Sequence, residues 1–218
     1  MNPGQTTARR TRIKFCGITR AEDAARAAEL GVDALGFVLV PRSPRFIAPA
    51  AAAIIRRALP PFVSAVALFQ DANAEEVQAA VNPLRPDLLQ FHGSETAAFC
   101  ESFGLPYMKA VAMAEPQDLE QAAREFDSSS ALLLDSHGQG GMGGRGETFD
   151  WTKVVRSGKP LVLAGGLNAQ NVGEGIHSLR PYAVDVSSGI ESRPGIKNFE
   201  KMRAFVDAVR RADLELSS

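Results

Sequence analysis

The chain has 218 residues, 45% of them hydrophobic and 22% charged, with a formal net charge of -1. That length suits one well-buried core and is short for two domains. The near-neutral charge excludes bulk attraction to nucleic acid or a membrane surface, so an anionic ligand has to be held by local donors.

Residues 1–12, "MNPGQTTARRTR", are polar and basic without the apolar stretch of a signal peptide, and read as a flexible tail. No apolar run approaches the roughly 20 residues of a membrane span. Two cysteines, Cys16 and Cys100, cannot build a disulfide framework and match no zinc spacing, which points to a reducing cytoplasm.

Short apolar runs predict strands at 13–16, 34–40, 62–69, 88–91, 107–113, 131–135, 161–165 and 183–188, with starts 21, 28, 26, 19, 24, 30 and 22 residues apart. Amphipathic patterns predict helices between them at 20–31, 49–59, 74–82, 94–104, 116–126, 151–158 and 169–179, and a last one at 199–212. Thr19 with Glu22 and Asn73 with Glu76 have capping-box spacing. Asn168 and Asn198 sit where N-caps belong, Pro49 suits a first helical turn, and Gly31 and Gly104 sit where C-caps belong. The strands are continuous rather than alternating, as parallel strands covered on both faces are. Eight strand–helix units in about 200 residues are the lower size limit of a closed (β/α)₈ barrel. An open doubly wound sheet is the rival, but its glycine-rich loop follows the first strand, whereas here such loops follow strands six, seven and eight. The expected organisation is a single barrel domain over residues 13–212, with a short C-terminal tail at 213–218.

Barrels often bind phosphate with the loops after strands seven and eight. Here those loops are "LAGGLNAQN" and "DVSSGIE". Gly165 and Gly166 remove Cβ atoms so that amides can approach an anion, Ser187 and Ser188 add hydroxyls, and Gly189 frees another amide. Glycines that only make tight turns are the alternative. The loop after strand six holds six glycines in the nine residues from Gly138 to Gly146, and reads as a mobile loop able to close over a ligand.

The motifs "KFCGIT", "GFVLVPRSPRFI", "LLQFHGSE", "LLLDS", "GGRGETFDW", "LAGGLNAQNV" and "DVSSGIESRPGIKN" resemble, in order and spacing, those of the phosphoribosylanthranilate isomerase family of tryptophan biosynthesis. The resemblance runs from about residue 13 to about residue 210. It implies a (β/α)₈ barrel without metal or organic cofactor that performs an Amadori rearrangement on a small phosphorylated substrate, as a monomer or homodimer. It places the catalytic pair on Cys16 and Asp135, an anthranilate-carboxylate contact on Arg45 and a further substrate contact on Asp185; His92, also at a strand end, is a further candidate contact. For His92 a structural role is the alternative; for Asp185, a carboxylate binding nearby loop amides. Phosphate contacts fall on Gly144, Gly146, Gly165, Gly166, Ser187, Ser188 and Gly189. The chain departs from the family at Arg145 and Glu147, and at Phe91, where leucine is usual. Trp151 is expected to pack under the sixth loop.

The implied rearrangement needs an acid to open the furanose and a base to take a proton from the adjacent carbon. A free thiol with pKa near 8.5 is only about 3% ionised at pH 7, so Cys16 needs help. Lys14, two residues back and about 6.6 Å lower along the strand, is expected to be out of reach, and the amides around Gly17 are the better candidate. Cys100, inside a helix, reads as core packing. Two rival readings remain: a lyase or aldolase using Lys109 as a Schiff-base lysine, and a catalytically silent phosphate-binding barrel.

Overall fold

The computed structural model describes residues 10–112, 117–135 and 158–217. Eight parallel strands close on themselves in sequence order: β1 (Arg12–Cys16), β2 (Ala34–Val38), β3 (Ser64–Phe69), β4 (Leu88–Phe91), β5 (Tyr107–Ala112), β6 (Ala131–Asp135), β7 (Leu161–Leu163) and β8 (Ala183–Val186). Helices α1 (Ala21–Glu29), α2 (Pro49–Arg57), α3 (Ala74–Leu84), α4 (Ala97–Glu101), α5 (Gln117–Glu125), α6 (Val172–Leu179) and α7 (Phe199–Glu215) lie along the chain between and after them. After β8 comes a short 3₁₀ turn, Ser188–Ile190, then an antiparallel hairpin of β9 (Glu191–Arg193) and β10 (Ile196–Lys197). All eight predicted strands are present. The predicted helix at 151–158 falls mostly outside the described residues, and none of the helices among them is long and apolar enough to cross a membrane.

Side-chain alternation along each strand separates two cores. Outward residues such as Phe15, Phe37, Phe69, Leu89, Leu132 and Val184 pack under the helices in one large cluster. Inward residues Val66, Met108, Leu133, Val162 and Ala183 fill the barrel interior, and a thin layer of Cys16, Val38, Val40 and Leu68 lies above them. Phe91 is fully buried on the outward side, with the rings of Phe69, Phe99, Phe103 and Tyr107 at 5.9–6.1 Å between centroids. That aromatic nest gives the phenylalanine a packing reason of its own, each such pair adding about 0.5–1.5 kcal/mol beyond burial.

Caps divide into those that form and those that tertiary contacts displace. Asn73 and Glu76 make the reciprocal capping box, Asn198 accepts from the Lys201 amide, and α2 begins at Pro49. Gly31 takes φ +76° just past the α1 C-cap. Thr19 does not cap α1. Its hydroxyl donates to the Gly195 carbonyl in the β9–β10 hairpin, and Arg20 stands at the N-cap, its side chain turned to Asp23 without capping the helix. Asn168 caps a turn instead of α6, accepting from the Gln170 and Asn171 amides, and the helix starts after Asn171.

Candidate active site

Inward positions at the C-terminal ends of the strands converge on one cavity with about 900 Å³ of atom-free space, part of it open to solvent. Cys16 at the tip of β1 and Asp135 at the tip of β6 both line it, each less than a tenth exposed. Arg45, His92, Asp185, Gly165, Gly166, Ser187 and Ser188 line it as well.

Gly17 follows Cys16 because the chain turns there with φ +76°, and because a Cβ would stand 2.7 Å from Arg45 Cδ and 3.1 Å from Ser187 Oγ. The glycine lets Arg45 and the β8 loop cross over the end of β1. The Gly17 amide itself donates to the Gly36 carbonyl and so is already committed. The ammonium of Lys14 occupies the place expected of those amides. Lys14 and Cys16 share the inward face of β1, and Lys14 is in register with Asp185 on β8. Its Nζ lies 2.9 Å from Asp185 Oδ1, with both side chains buried. A Cβ added to Gly36 would meet Cys16 Sγ at 2.9 Å and Lys14 Nζ at 3.1 Å, so the ammonium rises to the thiol beside it. The expectation that Lys14 sits too low fails because it measures from the Cα and neglects a side chain long enough to cover the rise of two residues.

Burial pushes the Cys16 thiol above its ordinary value, and Asp185 adds to that, while Lys14 and Lys197 oppose it. Burial also pulls the Lys14 ammonium down, but Asp185 and Cys16 outweigh it and the ammonium is held above its ordinary range.

On the other side of the mouth, His92 Nε2 lies 3.1 Å from Asp135 Oδ2, and Gln90 Nε2 lies 3.1 Å from His92 Nδ1. The imidazole thus bridges Gln90 and Asp135 through its two ring nitrogens. In the loop after β7, Gly165 and Gly166 take φ +79° and +64° in succession. Asn171 Nδ2 donates to the Gly166 carbonyl at 3.0 Å and its Oδ1 accepts from the Asn168 amide at 2.8 Å, which fixes the loop from below. Among the described residues, no acceptor faces the Gly165 and Gly166 amides.

The model of the N-(5'-phosphoribosyl)anthranilate (PRA) isomerase family matches residues 13–208. The chain belongs to this family. An N-(5'-phosphoribosyl)anthranilate isomerase of Xanthomonas euvesicatoria pv. vesicatoria is 50% identical over 211 residues, covering 94% of this chain and 95% of its own. The crystal structure of the phosphoribosyl anthranilate isomerase from Thermus thermophilus superposes with a TM-score of 0.83 at 39% identity, over 92% of this chain and 99% of that one. A phosphoribosyl anthranilate isomerase in complex with reduced 1-(o-carboxyphenylamino)-1-deoxyribulose 5-phosphate superposes with a TM-score of 0.80 at 35% identity, with the same coverage. The chain is thus an isomerase of tryptophan biosynthesis, converting the phosphoribosylated anthranilate into the open-chain aminoketose phosphate.

Most residues that the isomerase resemblance marks do gather at the mouth, but not all. Gly189 does not line the cavity. A Cβ there would run into the Leu167 carbonyl, so its glycine serves the passage of the β8 turn over the β7 loop. Gly144, Gly146, Arg145, Glu147 and Trp151 lie outside the described residues. Lys109, the rival Schiff-base lysine, faces outward from β5. Its Nζ bonds the Glu95 carboxylate at 3.0 Å and the Gly93 carbonyl, beneath the Phe126 ring and away from the cavity. Cys100, on the inner face of α4, is fully buried. Among the described residues no cluster of His, Cys, Asp and Glu is arranged to hold a metal. Sequence reasoning missed Gln90, Asn171, Glu191 and Lys197. The first was legible as an inward residue two before His92; the others act through contacts that only the closed barrel creates.

Proposed function

We propose that Cys16 and Asp135 are the proton-transfer pair of the isomerisation. Asp135 in its acid form protonates the furanose ring oxygen, and the ring opens to a Schiff base. Cys16, as thiolate, then takes the proton from the neighbouring sugar carbon, giving an enolamine that relaxes to the ketone. The single observation that carries the assignment is that both groups end inward-facing strands and line one cavity with the two anion loops. Lys14 supports the base role, since an ammonium against the sulfur favours the charged form that burial opposes. His92, bonded to Asp135, keeps that carboxyl turned into the mouth.

Arg45 binds the anthranilate carboxylate, for which a planar guanidinium is suited. Asp185 receives the bridging amine or a sugar hydroxyl with the carboxylate that Lys14 holds in place. Gly165, Gly166, Ser187 and Ser188 hold the phosphate at the mouth; Gly144 and Gly146 share that assignment by resemblance to the family. Two unpaired, buried cysteines support the cytoplasm as the compartment.

Cys16→Ala and Asp135→Asn each test the pair. Each is expected to lower kcat by about 10²–10⁴-fold in a fluorescence assay for loss of the anthranilate substrate, with the circular dichroism spectrum unchanged. Turnover within a few-fold of wild type in either variant refutes that residue's role.

A further inference from the structure

The β9–β10 hairpin carries a buried ion pair that the proton transfers do not use. Lys197 has a fully buried side chain whose Nζ contacts three acceptors: the Cys16 carbonyl at 2.6 Å, the Ser187 carbonyl at 3.2 Å and Glu191 Oε1 at 2.8 Å. Glu191, also buried, accepts from Arg45 Nε at 3.0 Å and Arg45 Nη2 at 2.8 Å, one oxygen for each nitrogen. Its Oε1 takes the Gly195 amide as well, at 3.2 Å. The hairpin is in turn fastened by Thr19 on the Gly195 carbonyl, Lys201 on the Glu191 carbonyl and Asp23 on the Lys197 amide.

Burying both ions costs several kcal/mol each in lost hydration, and apolar residues of similar shape would hold a hairpin as well. What apolar residues could not supply is a fork for the Nε–Nη2 edge of a guanidinium. A two-point contact along that edge sets both the position and the plane of the group, which one hydrogen bond would leave free to swing. Arg45 is threaded over Gly17, where no Cβ obstructs its Cδ, so its stem is confined as well. An arginine fixed before the ligand arrives loses less side-chain freedom on binding.

We propose that Glu191, held in place by Lys197, is a positioning residue that aims Arg45 and thereby sets the preference for a substrate with a carboxylate on its aromatic ring. The proposal rests on the reading of Arg45 as the carboxylate contact. Glu191 does not touch the substrate; it determines where the guanidinium stands when the ring carboxylate arrives. Loss of Glu191 therefore weakens recognition of that one substituent and leaves recognition of the phosphate and the sugar as it was.

The test compares two inhibitors, the reduced (2-carboxyphenylamino) product analogue and its phenylamino counterpart without the ring carboxylate. Their ratio of inhibition constants measures carboxylate recognition alone. Arg45→Met is expected to abolish the wild-type ratio. Glu191→Gln is expected to shrink it about tenfold while the phenylamino analogue binds within about threefold of wild type. A merely structural Glu191 would weaken both inhibitors alike and leave the ratio intact. If Arg45→Met keeps the ratio, the reading of Arg45 falls and the proposal with it. If Arg45→Met loses the ratio and Glu191→Gln keeps it, the proposal alone is overturned. Should Glu191→Gln fold poorly with an unpaired lysine, Glu191→Gln combined with Lys197→Met removes both charges together and is held to the same outcomes.

Discussion

Lys14→Met puts the inner seam of the barrel to a quantitative test. The substitution keeps the length of the side chain and deletes its charge, leaving Asp185 buried beside Cys16 without its 2.9 Å partner. Breaking a buried pair from one side costs about 3–5 kcal/mol. In a chain of this size each kcal/mol moves Tm by about 2–4 °C, so the expected fall is about 6–20 °C. Because the Lys14 pKa is held above its ordinary 10.5, the pair's contribution is complete below that pH and fades only as pH rises through the folded value. A calorimetric scan at pH 7 therefore reads all of it. Lys14→Met with Asp185→Asn removes both charges and is expected to recover most of the loss. The same variants move the thiol in opposite directions. Without the ammonium, Cys16 alkylation by iodoacetamide slows at a given pH; with Asp185→Asn alone it quickens, because that carboxylate opposes the thiolate. Cys100 contributes no background, being fully buried with its thiol pushed up to about 12. A Tm within about 1 °C of wild type, or strict additivity in the double variant, refutes the coupling of Lys14 to Asp185.

Gly165→Ala forces a side chain onto φ +79° and is expected to cost about 1–2 kcal/mol locally, raising KM and the inhibition constant of inorganic phosphate while kcat changes less than about threefold. An unchanged phosphate inhibition constant counts against the anion loop. For Glu191, burial raises the carboxyl pKa, but Arg45 and Lys197 more than reverse this and hold it below 4.5. Its linked stability is complete above that pH and is lost as pH falls through the folded value. The Tm of Glu191→Gln is accordingly expected to depend less steeply on pH below 4.5 than that of wild type, and equal slopes contradict the network.

The barrel was legible because its evidence is local and repeated. Eight apolar runs end where β1 to β8 end within a few residues, and strands such as Leu88–Phe91 and Ala131–Asp135 need no context beyond their own composition. The mouth was legible for a related reason. A polar residue closing an apolar strand, as Asp135 does, has few places to face. What stayed hidden depends on partners far away in sequence. Thr19 has the spacing of a cap, yet its hydroxyl is taken by Gly195, 176 residues on. Glu191 and Lys197 look like surface charges on a short turn until Arg45 and the end of β1 arrive beside them. Gly189 carries a glycine for the sake of the Leu167 carbonyl, a contact that no pattern along the chain announces. Lys14 could have been read correctly from period-two alternation, which puts it on the same face as Cys16.

The register of β1 against β8 brings the first and last thirds of the polypeptide together at Cys16. Lys14 meets Asp185 across 171 residues, and Cys16 meets Lys197 across 181. A chain cut after β6 already holds Lys14, Cys16 and Asp135, yet lacks the β7 and β8 loops, Asp185 and Lys197. Pairing of β8 with β1 is thus the contact that brings the late loops and Lys197 to the mouth. Turnover by two separately expressed fragments would then report that their free edges had met.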